Sequence, residues 1–187
     1  IAVSDQDITP EDLQPLMCPD PVRRAVMVQR WNDVVFLHWR FEPDVVQRLL
    51  PVGVEVDTFD GSAWVALVPF HMDALGVAGW APLPHVGSFP EVNVRTYVRA
   101  RGRVGVWFFS LDCNQPVAVW TARTFFHLPY QHSRMSARVP APRTVDYSNH
   151  RKGDTEASSF RYTLSASTTA AQPGTLAAAM HAAAQDI

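Results

Sequence analysis

SFPEVNVRTYVRARGRVGVWFFSLDC, residues 88–113, is the stretch whose reading decides the fold. Two runs of alternating character flank Arg101-Gly102, where the glycine allows the positive φ that a tight turn needs. A hairpin folded there sets Val92, Val94, Thr96 and Val98 on one face with Leu111, Phe109, Trp107 and Gly105. That face is almost wholly apolar and is expected to be core. The other face sets Glu91, Asn93, Arg95 and Tyr97 opposite Asp112, Ser110, Phe108 and Val106. Mixed faces of this kind are either solvent surface or the wall of a polar pocket. Phe108 and Val106, apolar among polar neighbours, favour a ligand cavity. The expectation is that the acidic and guanidinium side chains look into an enclosed hollow, while the valines press outward against covering helices.

At 187 residues, 47% hydrophobic and 18% charged, the chain is expected to hold one domain with a real core. A net charge of −2 gives no electrostatic reason to expect nucleic acid or an anionic membrane as partner. No apolar run approaches a membrane span, and no signal-peptide pattern precedes Pro10. Cys18 and Cys113 are too few for a disulfide framework or a zinc site, so a reducing cytoplasm is the expected setting.

Taken in order, Ile8–Met17 predicts a turn of helix with Pro10 at its first position, and Ala25–Arg30 a short connection of undecided type. Val34–Phe41 (VVFLHWRF) predicts a strand, and Pro43–Leu50 a helix ended by Pro51. Asp60-Gly61 between alternating runs predicts a hairpin. His71–Gly87 reads as a long Gly/Ala/Pro loop. Pro116–Phe126 fits helix and strand spacing alike, and Pro116 tips it to helix. Gln131–Val139 predicts another strand, and Arg143–Asn149 with Ala157–Ala166 a third hairpin. The division expected is an extension over 1–29, the domain over 30–166 and an alanine-rich tail or helix over 167–187. The fold class is α+β: a mainly antiparallel sheet, cone- or barrel-like, with a few short helices.

Glu91 and Asp112, opposite in this register, form a carboxyl pair in which one pKa should rise, as a general acid or base requires. Arg95 on the same face can hold a carboxylate bidentately. The plain alternative is a hydrated strand end with weak ion pairs. His38, between Leu37 and Trp39, is either a hydrogen-bonded core residue or a ligand contact. His127 and His132, five apart with Pro129 between, do not make a metal pair. Ser110 lacks a nucleophile elbow, and no phosphate loop or dinucleotide fingerprint is present, so no cofactor is expected.

RWND at 30–33, FLHW at 36–39, LLP at 49–51, VDTFDG at 56–61, AWVALVPF at 63–70, FPEVNVRTYV at 89–98, GVWFFSLD at 105–112 and FFHLPY at 125–130 together resemble the YqjF-like proteins, grouped with the acetoacetate-decarboxylase-like superfamily. The resemblance implies a cone- or barrel-like antiparallel sheet around a central cavity. Acetoacetate decarboxylases carry a Phe-Pro-Lys-Lys type motif whose first lysine forms a Schiff base with a keto acid. Phe89 and Pro90 fit it, but Glu91 stands in the lysine position, and a carboxylate cannot condense with a ketone. Lys152, the one lysine among 16 basic residues, falls in a predicted hydrophilic turn.

The expected function is therefore an internal site for a small organic acid or carbonyl compound. Glu91 is its acid/base and Arg95 its anion clamp, with His38, Asn93, Tyr97, Phe108, Ser110 and Asp112 contacting the ligand. A lyase or isomerase without a Schiff-base lysine fits this, as does a binding protein without catalysis. A scaffold meeting a partner through its 75–87 loop is the third reading. Family members usually continue through a more aromatic helix and further strands where this chain has an alanine-rich end, so the resemblance implies a cavity closed incompletely or by another subunit.

Overall fold

The computed structural model describes residues 27–77 and 87–163. The expected helix at 8–17, most of the 75–87 loop and the alanine-rich tail lie outside the described residues. The order is β1 (Met27–Asn32), β2 (Leu37–Phe41), α1 (Pro43–Gln47), β3 (Glu55–Val56), β4 (Thr58–Phe59), β5 (Ser62–Val77), β6 (Phe89–Ala100) and β7 (Arg103–Cys113), then α2 (Pro116–Phe126), β8 (Tyr130–Ala141), β9 (Thr144–Arg151) and β10 (Ser158–Thr163). The strands run β1-β5-β6-β7-β8-β9-β10, with β2 and β4 on β5 and β3 on β6. This path is open among the described residues, so the sheet is not a closed barrel, contrary to the barrel expectation. All pairings are antiparallel except β7–β8, joined through α2.

Three expectations shift. β5 continues to Val77, so the first seven residues of the expected His71–Gly87 loop are strand. The undecided 25–30 segment contributes to β1, which pairs with the far half of β5. The strand expected from Val34 begins at Leu37. The Asp60-Gly61 and Arg101-Gly102 turns form as read, both residues of each at positive φ.

Helix α2 shows why proline decided an ambiguous run. Pro116 sits at its first turn, and the Gln115 side chain accepts from the Val117 N–H at 3.4 Å. His127 ends it in the left-handed region at φ 55°. Val119 packs into a core of Ala66, Val68, Phe70, Met72, Phe89 and Cys113. In the β5–β6 register Ala66, Val68 and Phe70 lie opposite Arg95, Asn93 and Glu91. The covering helix therefore lies on the mixed face, not on the valine face as expected.

The valine face meets the second part of the sheet instead. After pairing with β7 over Tyr130–His132, β8 turns away to pair with β9, and β9 with β10. This brings Asn149, Arg151 and Phe160 over Val92 and Val94, around a cavity of about 240 Å³.

Candidate functional site

Along β6 the side chains of Glu91, Asn93, Arg95 and Tyr97 alternate onto one face of the strand. None faces bulk solvent: Glu91 and Asn93 are 1% exposed and Arg95 0%.

Arg95 lies opposite Ala66 on one side and Phe108 on the other. Its guanidinium carbon sits 5.0 Å from the centre of the Phe36 ring and 5.9 Å from that of Tyr97. Nε, Nη1 and Nη2 are all without a hydrogen-bond partner among the described residues. Burial lowers its pKa, and the nearby Tyr97 hydroxyl works against this. Contacts with ring faces are worth about 0.5–2 kcal/mol. Taking an ion out of water costs several kcal/mol, so the rings do not compensate the charge.

His38 Nε2 bonds the Tyr97 hydroxyl at 2.8 Å. Burial first and Arg95 second push the His38 pKa down to about 4, so its ring is neutral at pH 7. Asn93, midway between the two charged positions, leaves its own Oδ1 without a partner.

At the other end, Tyr130 donates to Glu91 Oε2 at 2.9 Å, and Tyr147 donates to the Glu91 backbone carbonyl at 3.0 Å. Burial pushes the Glu91 pKa up to about 8, with the Tyr130 bond opposing and Asp112 adding to the rise. Glu91 is thus a neutral acid at pH 7.

The expected register holds from the turn to Arg95–Phe108 and then slips. Phe109 has no partner, Val94 pairs with Ser110, Val92 with Asp112, and Glu91 with Cys113. One extra residue in a strand sends every later side chain to the opposite face. Leu111 and Cys113 therefore join the core behind Glu91, while Ser110 and Asp112 turn to the valine face. The expected facing carboxyl pair does not form, and the rise at Glu91 is chiefly desolvation.

Asp112 is met on its own side by residues that sequence reasoning missed. Arg151 reaches it with Nε at 2.7 Å and Nη2 at 3.0 Å, and donates to Ser110 Oγ at 2.8 Å. Asn149 donates to Asp112 Oδ2 at 2.6 Å. The forked geometry suits a guanidinium–carboxylate pair. The signal for it was a lone aspartate in a buried strand, which requires a counter-charge. Tyr130 stood in a quoted motif with no role attached. Of the sequence candidates, Glu91, Asn93, Arg95, Tyr97, His38 and Phe108 share one face, whereas Ser110 and Asp112 lie on the other.

The matching family profile, DUF2071, is described as an uncharacterized conserved protein and covers residues 28–183. The uncharacterized protein YqjF of Bacillus subtilis (strain 168) is 42% identical over 132 residues, 71% of this chain and 54% of that protein. The chain thus spans about half the length of this relative. Among solved structures, the enduracididine biosynthesis enzyme MppR complexed with pyruvate is similar at TM-score 0.56 and 17% identity, over 90% of this chain and 65% of that one. Acetoacetate decarboxylase from Legionella pneumophila gives 0.51 and 15%, over 79% and 56%. An acetoacetate decarboxylase-like enzyme from Sphingomonas wittichii RW1 gives 0.53 and 16%, over 70% and 55%. At these identities the similarity is one of fold.

Proposed function

Since the chain belongs to the DUF2071 family and has an acetoacetate-decarboxylase-like fold, we propose that it binds a small organic acid or carbonyl compound and transfers a proton to or from it without a Schiff base. The observation that carries this reading is the buried Arg95 guanidinium, whose three nitrogens have no partner among the described residues. A carboxylate is the natural complement of that fork. Phe36, 43% exposed and stacked on the guanidinium, is the removable cover.

Anchored at Arg95, a ligand is directed toward Glu91 past Asn93, whose Oδ1 has no partner among the described residues. The two lie four positions apart along the strand, about 13 Å between backbones, which suits an acid of a few carbons. Glu91 is protonated at pH 7 and serves as proton donor to the ligand's carbonyl oxygen, held by Tyr130, while solvent water takes the proton from the adjacent carbon. By the Phe89-Pro90 motif resemblance, Glu91 stands where acetoacetate decarboxylases carry their Schiff-base lysine, and this favours acid/base chemistry over imine chemistry.

Pyruvate and acetoacetate, the ligands suggested by the structural neighbours, are the probes. Each should raise the Tm of the wild-type chain, by about 2.7 kcal/mol of stabilisation at a hundredfold excess over Kd, and acetone should not. Arg95→Met should abolish the shift while itself stabilising the ligand-free protein, because an apolar isostere removes an uncompensated charge. Exchange of the pyruvate methyl protons in D2O should be accelerated by wild type and lost in Glu91→Gln with affinity retained. An equal pyruvate shift in Arg95→Met would remove the anion clamp. Binding without exchange would leave a non-catalytic receptor.

A further inference from the structure

We propose a second binding site, on the opposite face of the sheet from Arg95, that takes a small organic ammonium ion. It is the cavity of about 240 Å³ between β6–β7 and β9–β10. Val92, Val94 and Phe160 supply an apolar wall. Its charges are Asp112, Asp154 and Glu156 against Arg151 alone. Arg151 is committed to Asp112 through two nitrogens, so two carboxylates remain in excess. Glu156 has no hydrogen bond or ion pair among the described residues, and the Asp154 carboxylate acts on Arg151 through its field.

The observation that calls for a ligand is Asn149, which lines the cavity at 9% exposure. Its Nδ2 is fixed by donation to Asp112 Oδ2, so the amide cannot turn over. Oδ1 is therefore a buried acceptor, and no described residue donates to it. Buried acceptors are rarely left unmet. A short alkylammonium offers an N–H to Oδ1, positive charge to Asp154 and Glu156, and hydrocarbon to the valines and the Phe160 ring. The volume lies below that of sites for drug-sized ligands, which limits the occupant to a small amine.

The test is a titration of the isotopically labelled full chain with n-butylammonium chloride, followed by amide NMR. The expected result is saturable movement of the Asn149 side-chain amide and of the Glu156 and Phe160 backbone amides. Affinity should fall about fivefold or more in the double variant Asp154→Asn/Glu156→Gln, and should also weaken with added salt. Both side chains are exposed, so the rest of the spectrum should be unchanged. Butan-1-ol should bind at least about tenfold more weakly, and sodium butyrate should leave these signals in place. Butan-1-ol matching the ammonium, undiminished affinity in the double variant, preference for butyrate, or absence of saturable movement would each overturn the proposal.

Discussion

Arg95 and Glu91 respond to burial differently, because a guanidinium keeps its proton at any ordinary pH while a carboxylate takes one up. Glu91 holds its proton to about pH 8 when folded, against 4.5 when unfolded. Its contribution to stability is complete below pH 4.5 and is lost as pH rises toward 8. His38 runs the other way: folded at about 4 against 6.5 unfolded, its contribution is present above 6.5 and lost as pH falls toward 4. The two slopes oppose each other between pH 4.5 and 6.5, and above that the Glu91 slope runs without His38. The stability of Glu91→Gln relative to wild type should therefore grow by about 2 kcal/mol between pH 6.5 and 8; a constant difference in denaturant titrations would refute the buried neutral acid. The Asp112–Arg151 pair should be asymmetric. Arg151→Met leaves a carboxylate 2% exposed and should cost on the order of 3 kcal/mol, whereas Asp112→Asn leaves an arginine 39% exposed to water and should cost less. Equal losses would contradict the difference in burial. Glu91, Asn93 and Arg95 could be placed on one face from the sequence because alternation is local. Tyr130 and Arg151 could not be assigned as partners, because each stands 39 residues from the carboxylate it meets.

The Phe109 bulge is the element-level feature that rearranges the site. Deleting Phe109 leaves Arg95–Phe108 and Val94–Ser110 as consecutive pairs, so all later side chains keep their faces. Deleting Leu111 instead reverses Asp112 and Cys113. Loss of Phe109 should thus cost only about 1–2 kcal/mol in chemical denaturation, and loss of Leu111 considerably more. Comparable losses would mean that the register depends on something other than the bulge. The bulge was not legible because FFSL is apolar enough to alternate acceptably in either register. Whether Phe109 or Leu111 faces the core depends on what β5, α2 and β9 bring to the two faces. Proline and glycine signals were local and held: Pro116 opened α2, and Asp60-Gly61 and Arg101-Gly102 made their turns.

At the scale of the molecule, β5 and β6 carry the organisation, since each is flanked by other strands on both edges. Hydrogen exchange should be slowest at the amides that β6 shares with β5 and β7, and fastest in β2 and β10, which each have a single neighbour. Faster exchange in β6 than in β10 would show that the second part of the sheet is the stabler unit. The antiparallel α+β character, the central hairpin and the family motifs were set by alternation, turn residues and residue identity, all of which act over a few positions. Tertiary structure alone decided which face of that hairpin is covered by α2, which face encloses a cavity, and that Arg95 is left without a counter-ion among the described residues while Asp112 receives one. Those outcomes follow from desolvation and from contacts made by strands far apart in the chain, and neither can be read from the spacing of residues within one strand.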